Sequence, residues 1–489
     1  MKSLYLVLIV LFLGYASPAQ GQASQALIPI IDSAESVFRT AIDAYDDGDY
    51  DVAERLFGVA ANNYELHRKT TAAFLMQGKA LYMQQRFGEA IDVLELLTES
   101  YPTSKYTIEA NQIIGFASGE SEVQSSSAPP FRLGIALPLN GDAASLSQQM
   151  FNGIHMAVDE YNSRISLIDP ESFMQPPPRI IMVFRDTNND PEQARQAIRE
   201  LVEFENVDAI IGPLFSNEAI AAAGEAERLQ TVLIAPLATA EAVSFNKAYV
   251  FQANPSLEIR GRQMARFVVR GLGIESIGIL ADDSNSESLG MIRGFQKELY
   301  ELEIEPVYQE FISNSRSWFR LSDSVSRDTL VKAEAVYLPI NGGNASTLIG
   351  GALASMDRMG LGSRNIRIIG NKEWHSIANV SLASNYTTTY SNDFFVAPDD
   401  SLALEFQSRY LTEYGLDPIR LSYSGYDVAN FITSLLPRFA TNPQSPLYML
   451  FRESGAFQGL GNRIDFSNGN INEAMFFHRY TDGLVQLLK

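Results

Sequence analysis

The chain has 489 residues, too many for one hydrophobic core, and so divides into roughly two to four domains. It is 46% hydrophobic and 19% charged, the balance of an ordinary water-soluble globular protein. The formal net charge of −21, from 37 basic against 58 acidic residues, argues against nucleic acid and anionic membrane surfaces as partners, because both reward clustered lysine and arginine. Cysteine is absent, which excludes disulfides, thiolate metal sites, cysteine nucleophiles and a lipid-attachment cysteine.

Met1-Lys2 is a short basic start, Leu4 to Leu13 is an apolar run, and Tyr15 to Ala19 offers small residues at a cut after Ala19. This pattern predicts a secretory signal peptide over residues 1–19, too short to span a membrane. No later stretch reaches the roughly 18 consecutive apolar residues of a transmembrane helix. The mature chain is expected to be periplasmic or secreted, with no membrane span.

From Ala26 to Phe116 the pattern is helical and repeats itself. Tyr45, Tyr50 and Ala53 recur 37 positions on as Tyr82, Phe87 and Ala90. Small alanines let paired helices approach and the aromatics fill the space between them. The pair AYDDGDYDVAERLF and LYMQQRFGEAIDVL resembles tetratricopeptide repeats, closed by Tyr101-Pro102. A leading helix near Ala26–Asp46 and a trailing one near Ser104–Phe116 complete a predicted five-helix stack, a module suited to a protein partner. Asp43, Asp47, Gly48 and Glu54 match positions of a calcium loop by letter, but Tyr45 stands at its third position. A capped helical turn explains these acids better. Ala117–Pro130, rich in Ser and Pro, reads as a flexible linker.

Beyond it, strands and helices alternate. Phe131–Leu137 is a strand followed by the loop PLNG, and a helix runs from Leu146 to Asn162. Strand Arg179–Arg185 precedes helix Pro191–Phe204. The stretch DAIIGPLFSNEAIA, Asp208 to Ala221, is a buried strand, a Gly-Pro turn and a helix opened by Ser216. Thr231 to Ala240, TVLIAPLATA, repeats that design. Strand Ser276–Leu280, helix Leu289–Leu302, strand Ala335–Leu338 and helix Ser346–Met359 continue the alternation, which predicts parallel sheets flanked by helices. A strand that feeds a helix start points backbone N–H groups at whatever lies above the sheet, a ready place for a carboxylate.

In order, LGIALPLNGD, QQMFNGIHMAVDEYN, RDTNNDPEQARQAIRELVEFENVDAIIGPLFS, VLIAPLATA, YVFQANPS, RLSYSGYDVANFI and FQGLGNRIDF resemble the type I periplasmic binding proteins of the leucine/isoleucine/valine-binding kind. The resemblance runs from Phe131 to about Leu488. It implies an α/β fold of two lobes joined by a three-strand hinge, with the ligand in the cleft between them. It places crossings near Asn254-Pro255, His375 and Asn470. Lobe one then comprises about 131–253 and 376–469, and lobe two about 254–375 and 470–489.

Carried over by resemblance, Ser216, Ala238 and Thr239 hold the carboxylate and ammonium of an amino-acid ligand, with Leu237 beside them and Asn140 in the PLNG loop. The second lobe departs from the pattern. Leu289 and Asn341 stand where the family often has tyrosines, and Lys372 aligns with its ammonium-binding acid, leaving Glu373 one step on. With Leu237 and Trp374, these departures favour a more apolar ligand, or a pocket no longer used, over a standard α-amino acid. The expected ligand-binding set is Ser216, Ala238, Thr239, Leu237, Asn140, Asn341 and Glu373.

The four histidines show no metal-ligand spacing and no Walker loop is present, so neither a metal, a cofactor nor a catalytic role is expected. The resemblance implies a solute-binding protein that delivers an amino-acid-like or amide-like ligand to an ABC-type permease. Helical repeats ahead of this fold also resemble activators of peptidoglycan synthases. That leaves a cell-envelope scaffold, or a sensor relaying through the repeats, as the alternatives.

Overall fold

The computed structural model describes residues 29–488 apart from 103, 105, 125–129, 139–142, 167–176, 363–364 and 442–445. The expected signal peptide over residues 1–19 and the expected site residue Asn140 lie outside the described residues. Two units divide the chain, Met1–Ser121 and Glu122–Lys489. Among the described residues no helix is long and apolar enough to cross a membrane.

In the first unit, helices α1 (Asp32–Asp46), α2 (Tyr50–Asn62), α3 (Thr70–Met83), α4 (Phe87–Ser100) and α5 (Thr107–Gln124) follow one another. Each neighbouring pair from α1 to α4 packs together, as the repeat predicts. Ala41, Ala53, Phe57 and Ala80 form one buried cluster, and Ala73, Phe74, Leu94 and Leu97 belong to the next. Gly78 sets the α3–α4 spacing, because a Cβ there would lie 2.4 Å from Leu94 Cγ. Of the calcium-like stretch and its turn, Glu54 is engaged in the stack and the neighbouring Asp49 in the turn. Asp49 accepts the Val52 N–H at 3.3 Å and Glu54 accepts from Gln77 at 3.0 Å. The expected linker is shorter than its composition suggests, since α5 continues through the helix-compatible ASGESEVQ stretch to Gln124.

The second unit opens with β1 (Phe131–Leu137), α6 (Ala144–Ser166), β2 (Ile180–Asp186), α7 (Pro191–Glu203), β3 (Ala209–Ile211), α8 (Ser216–Arg228), β4 (Val232–Ala235) and β5 (Val250–Gln252). These strands form a parallel sheet in the order β2-β1-β3-β4-β5. Local chemistry sets the helix starts. Asp190 caps α7 by accepting the Glu192 and Gln193 N–H groups, each at 2.9 Å, with Pro191 in the first turn. Gly212, between β3 and α8, has φ +117° and passes so close to β1 that a Cβ would lie 2.0 Å from the Ala136 carbonyl oxygen.

After the first crossing come α9 (Leu257–Arg266), β6 (Ile277–Ala281), α10 (Ser286–Glu301), β7 (Tyr308–Phe311), α11 (Ser315–Phe319), α12 (Arg327–Leu330), β8 (Ala335–Tyr337), α13 (Ala345–Arg358), β9 (Arg367–Gly370), α14 (Val380–Asn385) and β10 (Thr389–Asn392). The chain then supplies α15 (Ser401–Tyr414), α16 (Arg420–Thr441), α17 (Leu447–Glu453), the short pair β11 (Phe457–Gln458) and β12 (Arg463–Ile464), and lastly β13 (Phe476–Thr481) and β14 (Leu484–Leu488). The second sheet has the order β14-β13-β10-β9-β8-β6-β7. Its parallel part, β7-β6-β8-β9-β10, repeats the strand order of the first sheet.

The expected crossing near His375 is therefore displaced. The chain stays with the second lobe through β10, which pairs with β9 and β13, and leaves it only after Asn392. The sequence TYSN hides this strand because it is polar, although all four residues are buried. Residues 376–392 thus belong to the second lobe. Near the other two expected crossings, the segments around Gln252 and Asn470 run side by side. Ile471 bridges Gln252 in parallel, and the Gln252 N–H donates to the Asn470 carbonyl at 2.8 Å.

Each lobe packs two helices almost backbone to backbone. In the first, a Cβ on Gly153 of α6 would lie 1.9 Å from the Ser422 carbonyl oxygen of α16. In the second, a Cβ on Gly294 of α10 would lie 1.9 Å from the Glu258 carbonyl oxygen of α9.

Candidate functional site

A cleft of about 240 Å³ lies where the two lobes and the crossings meet. Most of its lining follows the C-terminal ends of parallel strands, where α/β sheets bind ligands. Leu237 and Thr239 follow β4, Asn254 follows β5, Asn341 follows β8, Lys372 follows β9 and Asp393 follows β10. Glu287 stands in the first turn of α10, after β6. Leu257 and Arg260 come from α9, and Arg420 and Leu421 from α16, so both lobes face one space.

Its centre is a charged knot. Asp393, with a fully buried side chain, accepts through Oδ2 from Arg260 and from Arg420, each at 2.7 Å. Arg260 is itself 6% exposed, and its other donors reach the Pro255 carbonyl at 3.1 Å and Asn254 Oδ1 at 3.2 Å. Arg420 also lies over the Phe394 ring, 5.2 Å from its centroid. Burial alone would raise the Asp393 carboxyl, but Arg260, Arg420 and Lys372 together hold it well below the usual carboxylate range. Burial lowers the Arg260 guanidinium and the Lys372 ammonium, with the Asp393 charge opposing both shifts.

Around the knot, side-chain amides tie the crossings together. Asn254 Nδ2 donates to the Leu237 carbonyl at 2.9 Å. Asn470 donates to the Lys247 and Val250 carbonyls at 2.8 and 2.9 Å, and Asn472 donates to Ala253 at 2.8 Å. On the second lobe, Asn341 Nδ2 donates to Glu287 at 2.6 Å.

Of the residues expected at the site, Leu237, Thr239 and Asn341 line this cleft. Ser216 works one step behind it. Its Oγ accepts the N–H groups of Thr239 and Ala240 at 3.2 and 3.3 Å, which fixes the loop that carries Thr239. Ala238 is buried in the first-lobe core. Glu373 lies on a neighbouring hollow with His375 and Phe395, while Lys372 borders both that hollow and the cleft. Trp374 is core, donating its indole N–H to the Leu338 carbonyl at 3.1 Å.

Sequence reading missed Arg260, Glu287, Asp393 and Arg420, and took Lys372 only as a departure from the family pattern. Two signals were available. Ser256 caps α9, accepting the Ile259 N–H at 3.1 Å, which places Arg260 one turn into a helix beside the first crossing. Asn285 caps α10, accepting the Ser288 N–H at 2.9 Å, which starts that helix at Ser286 and brings Glu287 to its exposed N-terminal turn.

A larger hollow of about 810 Å³ lies against α6, α15, α16 and the β11–β12 turn. Its buried group, Asp427, accepts the N–H groups of Leu460, Gly461 and Asn462 at 2.7, 2.9 and 2.7 Å. That carboxylate serves as a loop clamp, and of the strand-end loops that converge on the cleft the described lining of the hollow includes the one after β10, through Phe395 and Ala397, and none of the others. The smaller space is the candidate site. Elsewhere, His155, Asp159 and Glu413 place their ligand-type atoms within 4.8 Å of one another. The His155 ring is paired there with the two carboxylates, at 3.3 and 3.5 Å.

Residues 130–483 match the family model described as periplasmic binding protein, and residues 72–104 match one described as tetratricopeptide repeat. No curated protein matches the chain. Similar solved structures include a putative branched-chain amino acid ABC transporter from Rhodospirillum rubrum, at 16% identity over 74% of this chain and 100% of that one, with a TM-score of 0.58. An ABC transporter substrate-binding protein from Sphaerobacter thermophilus is 17% identical over 74% of this chain and 96% of that one, with a TM-score of 0.52. Another from Desulfitobacterium hafniense, in complex with Leu, is 19% identical over 74% and 100%, with a TM-score of 0.50. At these identities the likeness is one of fold.

Proposed function

Since the chain belongs to the periplasmic binding protein family, with a tetratricopeptide repeat ahead of the family domain, we propose that it is an exported solute-binding protein of an ABC-type uptake system. The observation that carries this reading is a cleft on which strand-end loops of both lobes converge. Its volume, about 240 Å³, lies just below the usual range of small-molecule pockets and suits a small amino-acid-like or amide-like ligand. Ligand contacts to both lobes favour the closed arrangement, and a membrane permease would read that state. In this reading Leu237 and Thr239 form the first-lobe wall, Ser216 and Ala238 support it, and Asn341, Glu287 and Lys372 face it.

A second reading, a cell-envelope scaffold, is favoured by the engagement of Ser216, whose Oγ already accepts two backbone N–H groups. The repeat domain would then carry the protein contact. A thermal-shift screen of the full chain against amino acids, amides and short peptides, with small-angle scattering on each hit, separates the two. Uptake predicts a ligand that raises the melting temperature and compacts the particle. If no ligand does so while the repeat region retains a cell-wall enzyme, the transport reading is lost.

A further inference from the structure

The charges that line the cleft do not balance. Arg260, Lys372 and Arg420 are cations, while Glu287 and Asp393 are the only carboxylates among the described lining residues. Asp393 is committed to the two arginines, at 2.7 Å each. Glu287 is committed through one oxygen to Asn341. Lys372 is different. Its nearest carboxylate is Glu373 at 4.0 Å, on the side turned to the neighbouring hollow, and its side chain is about one-third exposed. Counted over its lining residues, the cleft carries one more positive than negative charge, and the nearest balancing group, Glu373, lies outside that lining.

We propose that the cleft selects a small ligand with a net negative charge, one whose carboxylates outnumber its ammonium groups. The inference rests on the solute-binding reading and narrows its ligand class. A ligand carboxylate set between Lys372 and the exposed edge of Arg420 meets two cations already held in place. Asp393 fixes the Arg420 fork before the ligand arrives, so little side-chain entropy is lost on binding. Thr239, from the first lobe like Arg420, also lines the cleft and brings a hydroxyl to it. A ligand ammonium, where present, has the free oxygen of Glu287 to meet. A neutral zwitterion satisfies Glu287 and one cation and leaves the excess charge uncompensated in a small, partly desolvated space. A net anion removes it.

The test is calorimetry and thermal shift on the full chain with four probes of similar size: glutamate and succinate as net anions, glutamine and leucine as zwitterions. Glutamate or succinate is expected to bind at least tenfold more tightly than glutamine or leucine, with affinity falling as sodium chloride rises. Lys372→Gln should lower that affinity tenfold or more, while Lys372→Arg, which keeps the charge, should restore most of it. Unchanged melting of the two apo variants would show that the loss is one of binding. Tighter binding of glutamine or leucine, indifferent to Lys372→Gln, overturns the charge inference and leaves the solute-binding reading standing. If none of the four probes shifts the melting temperature, the ligand class proposed here falls, and a hit elsewhere in the wider screen decides whether the solute-binding reading survives it.

Discussion

Arg260 on α9 donates to Asp393 at 2.7 Å, although the two lie 133 residues apart and on either side of the second lobe's sheet sequence. Arg420, from the first lobe, shares the same oxygen. One buried carboxylate thus takes a guanidinium from each lobe. Removing it leaves Arg260 buried and unpaired, so Asp393→Ala is expected to cost about 3–5 kcal/mol. Denaturant unfolding of the variant against the native chain measures this, and a loss under about 1 kcal/mol would show that the pair carries no net stability.

The same group sets a pH dependence. The Asp393 carboxyl is held below its ordinary value of 3.8, and that of Glu298, beside Arg262 and Arg266, is held below 4.5. Lowered folded-state values mean that the native state stays deprotonated where the unfolded chain takes up protons. Their stabilisation is present at neutral pH and is lost as pH falls below about 4. Melting temperature followed from pH 7 to pH 3 should drop, and the drop should be shallower in Asp393→Asn. Equal slopes in the two proteins would remove Asp393 from the account.

Ser216→Ala is expected to act on the fold as well as on the ligand. It strips an acceptor from the Thr239 and Ala240 N–H groups and so costs about 1–3 kcal/mol. Direct ligand contact alone would weaken affinity at constant melting temperature. Support of the loop lowers both, and parallel calorimetry and thermal melts tell them apart.

Gly153→Ala probes the α6–α16 contact. Its Cβ would meet backbone, the Ser422 carbonyl, and backbone cannot rotate away as a side chain can. A loss of at least about 3 kcal/mol, or failure to accumulate folded protein, is expected, beyond the usual cost of overpacking. Gly224→Ala, on α8 with open space around it, serves as the control and should be neutral or mildly stabilising.

Much of the architecture was legible because its signals are local. The β1 run FRLGIAL, the Pro191 helix start and the Ala face of α8 each announce themselves within a dozen residues. β10 was not, because buried Thr389, Ser391 and Asn392 carry no apolar signature, and their burial comes from β9 and β13 on either side. The site divides the same way. Leu237 and Thr239 could be read from an apolar strand ending in a small polar loop. Arg260, Asp393 and Arg420 meet only because two crossings bring distant segments together, and no spacing in the chain encodes that meeting. Lys372 and Glu373 were separated by one residue of register, which a 3₁₀ turn over Lys372–Ser376 decides.

The Gly153 contact has a kinetic corollary. The groove on α6 is filled by α16, and Ser422 donates to Gln149 across 273 residues of chain. A polypeptide emerging from its N-terminus completes the first parallel sheet long before α16 exists to cover that face. The first lobe must then wait, with a glycine-lined apolar surface open, until the second lobe has been made. Closure at such sequence separation is slow, and the uncovered intermediate is prone to self-association. An expressed fragment ending at residue 253 should therefore aggregate even though it contains every strand of its sheet.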